Sequence, residues 1–168
     1  MVSTEGDLLT YELSVYIPSK QKIKPPGNHN LLSLIQINVV SLLSSHDPRW
    51  FRTSLPFLIF DDGTLRIRTH HEFTWKVKTD YTVVEDPLDK WIKFKFEINS
   101  TSDDNGYLKV FVNDELMVHE IRPTIPPDQD ATTYLRFGIY NAFLSQCDCK
   151  NMPTQVVYFD EIRRARVD

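Results

Sequence analysis

The fold class is decided by one stretch of the sequence, Trp91-Ile92-Lys93-Phe94-Lys95-Phe96-Glu97-Ile98-Asn99. Polar and apolar side chains alternate along it, so an extended chain places the two sets on opposite sides. The apolar set consists of isoleucine and phenylalanine, which are strong strand formers. The stretch therefore predicts a β-strand with one face on a hydrophobic core and the other face towards solvent.

Extended segments of the same kind recur on both sides of this strand, separated by turn sequences. Asp61-Asp62-Gly63 and Asn113-Asp114-Glu115 each separate two such segments, which predicts two hairpins. Leu31–Leu43 is apolar nearly throughout and could be a buried helix, but its β-branched residues favour a long central strand. Around nine short strands predict an all-β protein, built as a sandwich or a barrel. Besides Trp91–Asn99, the predicted strands are Leu8–Ile17, Leu31–Leu43, Leu55–Phe60, Thr64–Thr69, Trp75–Val84, Tyr107–Val112, Leu116–Ile121, Tyr134–Tyr140 and Val156–Val167.

Composition and charge narrow the class of protein. The 168 residues are 41% hydrophobic and 12% aromatic, which is enough for one folded domain over residues 1–168. The net charge is -4 and the basic residues are scattered among acidic ones, so no nucleic-acid partner is expected. No apolar run is long enough to span a bilayer, so no membrane partner is expected either. The amino-terminal residues show no leader pattern, so we expect a cytoplasmic protein, or a secreted or periplasmic one whose leader has been removed.

The sequence predicts neither a metal ion nor another cofactor. Cys147 and Cys149 are its two cysteines, and they lack the second pair of ligands that a zinc site needs. No phosphate-binding loop and no Ser-His-Asp arrangement can be recognised. Any chemistry is therefore expected from the side chains alone.

The strand Trp91–Asn99 leads into Gly106-Tyr107-Leu108-Lys109-Val110-Phe111-Val112-Asn113-Asp114. This combination resembles the tryptophan-led hairpin of concanavalin-like jelly rolls. The resemblance implies an antiparallel two-sheet jelly-roll sandwich. Lectins, laminin-type modules and glycanases share this hairpin, so it indicates a fold and not a function.

Three other segments resemble polysaccharide lyases of the jelly-roll type, the alginate-lyase and heparinase-like groups. Tyr134-Leu135-Arg136-Phe137-Gly138-Ile139-Tyr140-Asn141 is similar to their Tyr-x-Lys-x-Gly-x-Tyr strand. Leu34-Ile35-Gln36-Ile37-Asn38 falls where they have Gln-x-His on a facing strand, and Val157–Ile162 resembles their closing strand. The resemblance covers most of the chain from Leu8 onward. It implies β-elimination on an acidic, uronate-containing polysaccharide or oligosaccharide.

The resemblance also implies a role for each matching residue. In such lyases an amide or a cation neutralises the uronate carboxylate, and a His or Tyr then removes the neighbouring proton. Gln36 would be the carboxylate neutraliser, Tyr140 the acid or base, and Arg136 a substrate contact in place of the family's Lys. The alternation supports this set, because Tyr134, Arg136 and Tyr140 fall on one face of a single strand.

The sequence departs from the family pattern at two points. Asn38 stands where the family has its His, and an asparagine cannot act as a base, although it can contact the substrate. His70 or His71 is a candidate for the missing base. The family's Arg-x-Glu strand lies upstream of the strand that Leu8–Ile17 resembles. The resemblance thus implies that the chain begins after that strand and leaves an exposed sheet edge, through which an oligomer could form.

Cationic and aromatic side chains complete the predicted substrate-binding set. Arg66 and Arg68 lie on an alternating strand just before the two histidines, and Trp75 has lysine neighbours suited to an acidic glycan. Gln36 and Asn38 could equally hydrogen-bond within a sheet, since buried amides need partners. Three functions stay open: a lyase acting by β-elimination, a non-catalytic carbohydrate-binding domain, and a structural or interaction module that uses the exposed edge.

Overall fold

The computed structural model describes residues 6–19, 32–41, 52–61, 63–70, 78–126, 131–141 and 154–167. These residues contain strands and turns but no helix, and so nothing in them forms a membrane-spanning helix. The predicted all-β class is confirmed. The ambiguous apolar segment is a strand, as its β-branched residues predicted. The strands are β1 Asp7–Tyr16, β2 Leu32–Ser41, β3 Arg52–Asp61, β4 Thr64–His70, β5 Lys78–Val84, β6 Trp91–Ser100, β7 Tyr107–Val112, β8 Glu115–Ile121, β9 Ala131–Asn141 and β10 Tyr158–Val167.

The ten strands form two five-stranded antiparallel sheets. Sheet A has the order β10-β1-β6-β7-β8, and sheet B has the order β5-β4-β3-β2-β9. The two sheets pack face to face as a jelly-roll sandwich, which confirms the predicted architecture. Each of the ten strands in the described residues overlaps one of the segments predicted as strands. The division of the chain into a single domain stays a prediction.

The core lies between the sheets and follows the alternation of the strands. In β6 the side chains of Ile92, Phe94, Phe96 and Ile98 are buried, whereas Trp91 at the start of the strand is 50% exposed. The strand β1 contributes a second buried row of apolar residues from Leu9 to Ile17, and sheet B contributes Leu58, Leu65 and Ile67 from the other side. The outer faces carry the polar side chains and exposed aromatic residues, together with some exposed aliphatic residues such as Leu116.

The two predicted hairpins are present. In the second, Val112 pairs with Glu115, so the turn consists of Asn113 and Asp114 alone, with φ angles of 50° and 67°. Two left-handed residues are typical of the type I′ turn, which matches the twist of the flanking strands and favours asparagine and aspartate. The backbone N–H of Lys93 donates to Oδ1 of Asn113 at 3.0 Å, which ties this turn to β6.

Irregular pairing bends sheet B at its β9 edge. From Ser33 to Ile35, β2 advances two residues while its partner β3 advances one, and its other partner β9 advances three, from Tyr140 to Phe137. Gly138 lies in the longest of these segments with a φ of 138°, a conformation that other residues rarely adopt. Such bulges are known to redirect side chains near functional sites.

Candidate functional site

The strands β2 and β9 place six polar or aromatic side chains on the outer face of sheet B. The pairs of directly opposite residues are Tyr140 with Ser33, Arg136 with Gln36, and Tyr134 with Asn38. Directly opposite residues point to the same face of a sheet. The face is the outer one, because Leu34, Ile35 and Ile37 occupy the core side of β2. Three of the predicted site residues on β9 and two on β2 are thus brought together.

Gln36 and Arg136 form the centre of this group. The amide Nε2 of Gln36 donates to Oγ of Ser33 at 3.2 Å, which directs the amide along β2 towards the row of Tyr140. The Arg136 guanidinium lies over the ring of Tyr134, with Cζ 5.0 Å from the ring centroid. Among the described residues no carboxylate pairs with Arg136, whose side chain is exposed. The amide NH2 group and the guanidinium can together donate hydrogen bonds to the carboxylate of a ligand.

Tyr140 is the accessible hydroxyl of the group, because 57% of the residue is exposed. It lies on the edge strand, opposite the small Ser33. Asn38, in contrast, is only 5% exposed, so its amide is covered rather than presented. Of the two positions at which the family pattern suggests proton transfer, only Tyr140 can meet a substrate directly in this arrangement.

The same outer face continues across β3, β4 and β5. The row through Gln36 passes to Phe57, then to Arg68, then to Asp80. Arg68 makes a two-pronged contact with Asp80, with Nε and Nη2 donating to the two carboxylate oxygens at 2.6 and 2.7 Å. These hydrogen bonds raise the pKa of Arg68 and hold the pKa of Asp80 below its ordinary value. Arg66 pairs less tightly, with Asp61 at 3.3 Å.

The predicted cationic residues therefore fall into two kinds. Arg66 and Arg68 lie on the predicted face but are engaged by carboxylates, so a polyanion must compete for them. Arg136 alone of the three has no such competitor in the described part of the chain. Asp80 was not predicted from the sequence, although β5 carries it on the face of Lys78 and Thr82, opposite an arginine-bearing strand.

The structure does not bring His70 to Tyr140. His70 is 6% exposed and packs edge-on against Phe57, with ring centroids 5.2 Å apart. The strand β4 is three strand spacings from β9, roughly 14 Å. His70 is also four residues along β4 from Arg66, which shares a row with Ser33 and Tyr140, and this adds roughly 13 Å. Both side chains therefore cannot contact one sugar ring.

Several predicted residues lie outside the described part of the chain: Trp75, His71, Cys147 and Cys149. Among the residues that the structure describes, no group of three or more His, Cys, Asp or Glu side chains could hold a metal ion.

A buried polar network contacts β4 on the core side of sheet B. Oε1 of Glu120, on β8 of sheet A, accepts hydrogen bonds from Oγ1 of Thr69 at 2.7 Å and from the Tyr81 hydroxyl at 3.0 Å. Its Oε2 accepts from Nε of Arg122 at 2.9 Å. The burial of Glu120 raises its pKa, but these hydrogen bonds and the charge of Arg122 outweigh the burial and leave the pKa below its ordinary value. Thr69 lies between Arg68 and His70, so the network joins sheet A to the site strand.

The fold and the site together define a jelly-roll β-sandwich that carries aromatic and cationic side chains on the outer face of one sheet. Residues 1–163 match the family model described as Polysaccharide lyase. The chain is therefore a member of that polysaccharide lyase family. No curated protein sequence matches it.

Solved structures of lyases share the fold. An endo-β-1,4-glucuronan lyase from the fungus Trichoderma reesei superposes with a TM-score of 0.68 at 14% identity, over 98% of this chain and 71% of that one. The alginate lyase AlyC3 gives 0.66 at 14% identity, over 98% and 67%. An alginate lyase from Pseudomonas aeruginosa gives 0.63 at 14% identity, over 96% and 66%. At this identity the likeness is one of fold, and this chain spans about two thirds of those proteins. Similar structures include AlyC3 with bound dimannuronate.

Proposed function

We propose that this chain cleaves a uronate polysaccharide by β-elimination on the outer face of sheet B. The observation that carries the proposal is the register of β2 and β9, which aligns Ser33, Gln36 and Asn38 with Tyr140, Arg136 and Tyr134 on one face. Family membership and the glucuronan and alginate lyases of the same fold support the reaction class.

The polar groups fit the steps of such an elimination. The Gln36 amide and the Arg136 guanidinium bind the uronate carboxylate at C6, and this withdraws charge from C5. The Tyr140 oxygen accepts the proton from C5 while its own hydroxyl proton passes to O4. The electrons of the C5–H bond form the C4=C5 double bond as the C4–O4 bond breaks. The departing O4 leaves as a hydroxyl after it receives a proton. The products are a sugar with a new reducing end and an unsaturated uronate.

Tyr140 performs both proton transfers in this proposal, because Asn38 is not a base and His70 lies three strands away. One side chain can reach both sites only if the C5 hydrogen and O4 are on the same side of the sugar ring. This is the case in 1,4-linked D-glucuronate and D-mannuronate, whereas the configuration at C5 is inverted in L-guluronate. We therefore propose a polymer of 1,4-linked D-glucuronate or D-mannuronate as the substrate.

The test is the ultraviolet absorbance of the unsaturated product, with glucuronan, polymannuronate and polyguluronate as separate substrates. We expect absorbance to rise with glucuronan or polymannuronate and not with polyguluronate. The Tyr140→Phe variant should lose the activity at least about a hundredfold, the usual size of an acid–base contribution. Tyr107→Phe, on the outer face of sheet A, is the matched control and should keep it. Activity that survives in Tyr140→Phe contradicts the proposed role.

A non-catalytic glycan-binding domain is the second candidate. It is favoured by the low exposure of His70 and Asn38, at 6% and 5%, because neither side chain is presented to a substrate. This candidate predicts retained binding of a D-uronate polymer, weakened by Arg136→Ala, with no product from any of the three polymers.

A further inference from the structure

An aromatic row crosses the outer face of sheet A, on the side of the sandwich away from the proposed lyase site. Tyr158, Tyr16 and Trp91 are directly paired across the neighbouring strands β10, β1 and β6. Tyr158 is 53% exposed and Trp91 50% exposed, and Tyr16 between them is half-buried. The ring centroids are 6.0 Å apart from Tyr158 to Tyr16, and 5.5 Å apart from Tyr16 to Trp91.

The central ring of the row is fixed in place. The Tyr16 hydroxyl donates to Oδ1 of Asp89 at 3.4 Å, and the same oxygen accepts from the backbone N–H of Ser19 at 2.9 Å. Asp89 itself has a φ of 56°, and its backbone N–H bonds to the carbonyl of Ile17. The folded backbone thus holds the carboxylate that orients Tyr16. Two large exposed rings on either side of an anchored one leave a sizeable apolar surface in water, which is a mark of a binding surface.

The spacing of the rings matches a glycan chain. The ring centroids are 5.5 and 6.0 Å apart, which is comparable to the length of one pyranose residue in an extended 1,4-linked polymer. The C–H groups of a sugar ring pack well on the negatively polarised face of an aromatic ring. The planes of neighbouring rings differ by 49° and 62°, so the row suits a single twisted chain rather than a flat crystalline surface.

The polar groups beside the row indicate the charge of that chain. The next row on the same face is Asp160, Ser14 and Lys93. Lys93 is already paired with Asp114, Nζ to Oδ1, at 2.9 Å. Asp160 thus lies on one side of the aromatic row and Asp89 on the other, and these two carboxylates disfavour a polyuronate at this surface. Hydroxyl groups of a neutral sugar, in contrast, can donate hydrogen bonds to them.

We propose that Tyr158, Tyr16 and Trp91 form a binding site for a neutral 1,4-linked polysaccharide. It is separate from the proposed lyase site, which lies on the other sheet and has Arg136 exposed. Through this site the protein binds a neutral glycan chain while the outer face of sheet B acts on an acidic one.

The test is binding of cellohexaose and mannohexaose to the full chain, measured by calorimetry and by tryptophan fluorescence, with hexamannuronate as the acidic comparison. We expect a neutral hexasaccharide to bind, and Trp91→Ala to weaken it at least about tenfold, as for the loss of one aromatic stacking contact. Trp91→Phe should retain most of the affinity, which separates stacking from a folding defect. Leu116→Ala, an exposed apolar residue on the same sheet face, is the matched control and should bind normally.

The site is independent of catalysis, so Tyr140→Phe should bind neutral hexasaccharides as the wild type does. Failure of both neutral hexasaccharides to bind overturns the proposal, as does equal affinity in Trp91→Ala and the wild type. A Trp91-dependent dimer seen by light scattering, without sugar binding, assigns the row to a second copy of the chain and also overturns it.

Discussion

Replacement of Glu120 should lower the free energy of unfolding by more than the loss of a surface ion pair does. The carboxylate is 8% exposed and the Arg122 side chain 14%. In Glu120→Gln the amide oxygen can still accept from Thr69 and Tyr81. The amide NH2 group takes the place of Oε2 and cannot accept the hydrogen bond from Arg122. Breaking one partner of a buried pair costs about 3–5 kcal/mol, and we expect about 3 for this change because Arg122 reaches some solvent. Glu120→Ala also loses the two hydrogen bonds from Thr69 and Tyr81 that the glutamine oxygen keeps, about 1 kcal/mol each, which gives about 5.

Urea denaturation, with the free energy of unfolding and the m-value fitted together, measures this difference. The matched control is Glu97→Gln, which breaks the pair with Lys95 at 2.7 Å on the outer face of sheet A. Those side chains are 23% and 32% exposed, so the control should cost about 0.2–1 kcal/mol. The reasoning is refuted if Glu120→Gln loses no more stability than Glu97→Gln with unchanged m-values.

The stabilisation by Glu120 should also depend on pH with a definite sign. The pKa of Glu120 in the folded protein lies below its ordinary value of 4.5. The ionised network therefore contributes fully above the ordinary pKa, and its contribution is lost as the pH falls through the lower folded-state value. The stability difference between the wild type and Glu120→Gln should be constant from pH 6 to 7 and shrink below about pH 4. A difference that grows towards acid would contradict this assignment.

Two further predictions concern the site on sheet B. Asp80→Asn removes the carboxylate partner of Arg68, so it should tighten binding of a polyuronate and steepen the salt dependence of that binding, both measured by affinity electrophoresis at several salt concentrations; unchanged affinity would mean that Arg68 does not contact the polymer. Gly138→Ala adds a side chain at a backbone φ of 138°, which should cost about 1–3 kcal/mol of stability and displace Tyr140. The activity measured by absorbance should therefore fall sharply. Gly63→Ala, at a φ of 83° in a turn of the same sheet, is the control and should lose stability while keeping activity.

The fold was predictable because most strands obey a strict alternation. In β6 and β7 every second residue is buried, as the sequence requires of a strand with one face on a core. The strand β2 shows where this reasoning ends. Alternation places Leu34 on the face of Gln36, yet Leu34 and Ile35 are both in the core and Ser33 takes the outer position. The cause is the bulge between Ser33 and Ile35, which the pairing with β3 and β9 imposes.

Contacts between distant strands account for the rest of what the sequence did not reveal. The role of Glu120 depends on Thr69, 51 residues away on the opposite sheet. The alternation of β8 does indicate that Glu120 is buried, because it falls two residues after the buried Val118 and so on the same face. A charged residue on the core side of a strand predicts a partner, but not its identity. The pairing of Arg68 with Asp80 could not be predicted either, because the sequence of one strand does not determine its register with the next strand.

In the proposed mechanism, the use of Tyr140 for both proton transfers limits the reaction to one stereochemical class. Elimination from L-guluronate needs a base and an acid on opposite sides of the sugar ring, and so two separate side chains. His70 cannot be the second, since it is buried and three strands from Tyr140. The Asn38 amide cannot take a proton from carbon. In the proposed mechanism, cleavage of glucuronan or polymannuronate needs only Tyr140 with Gln36 and Arg136, whereas cleavage of polyguluronate would need a second proton-transfer group other than His70 and Asn38.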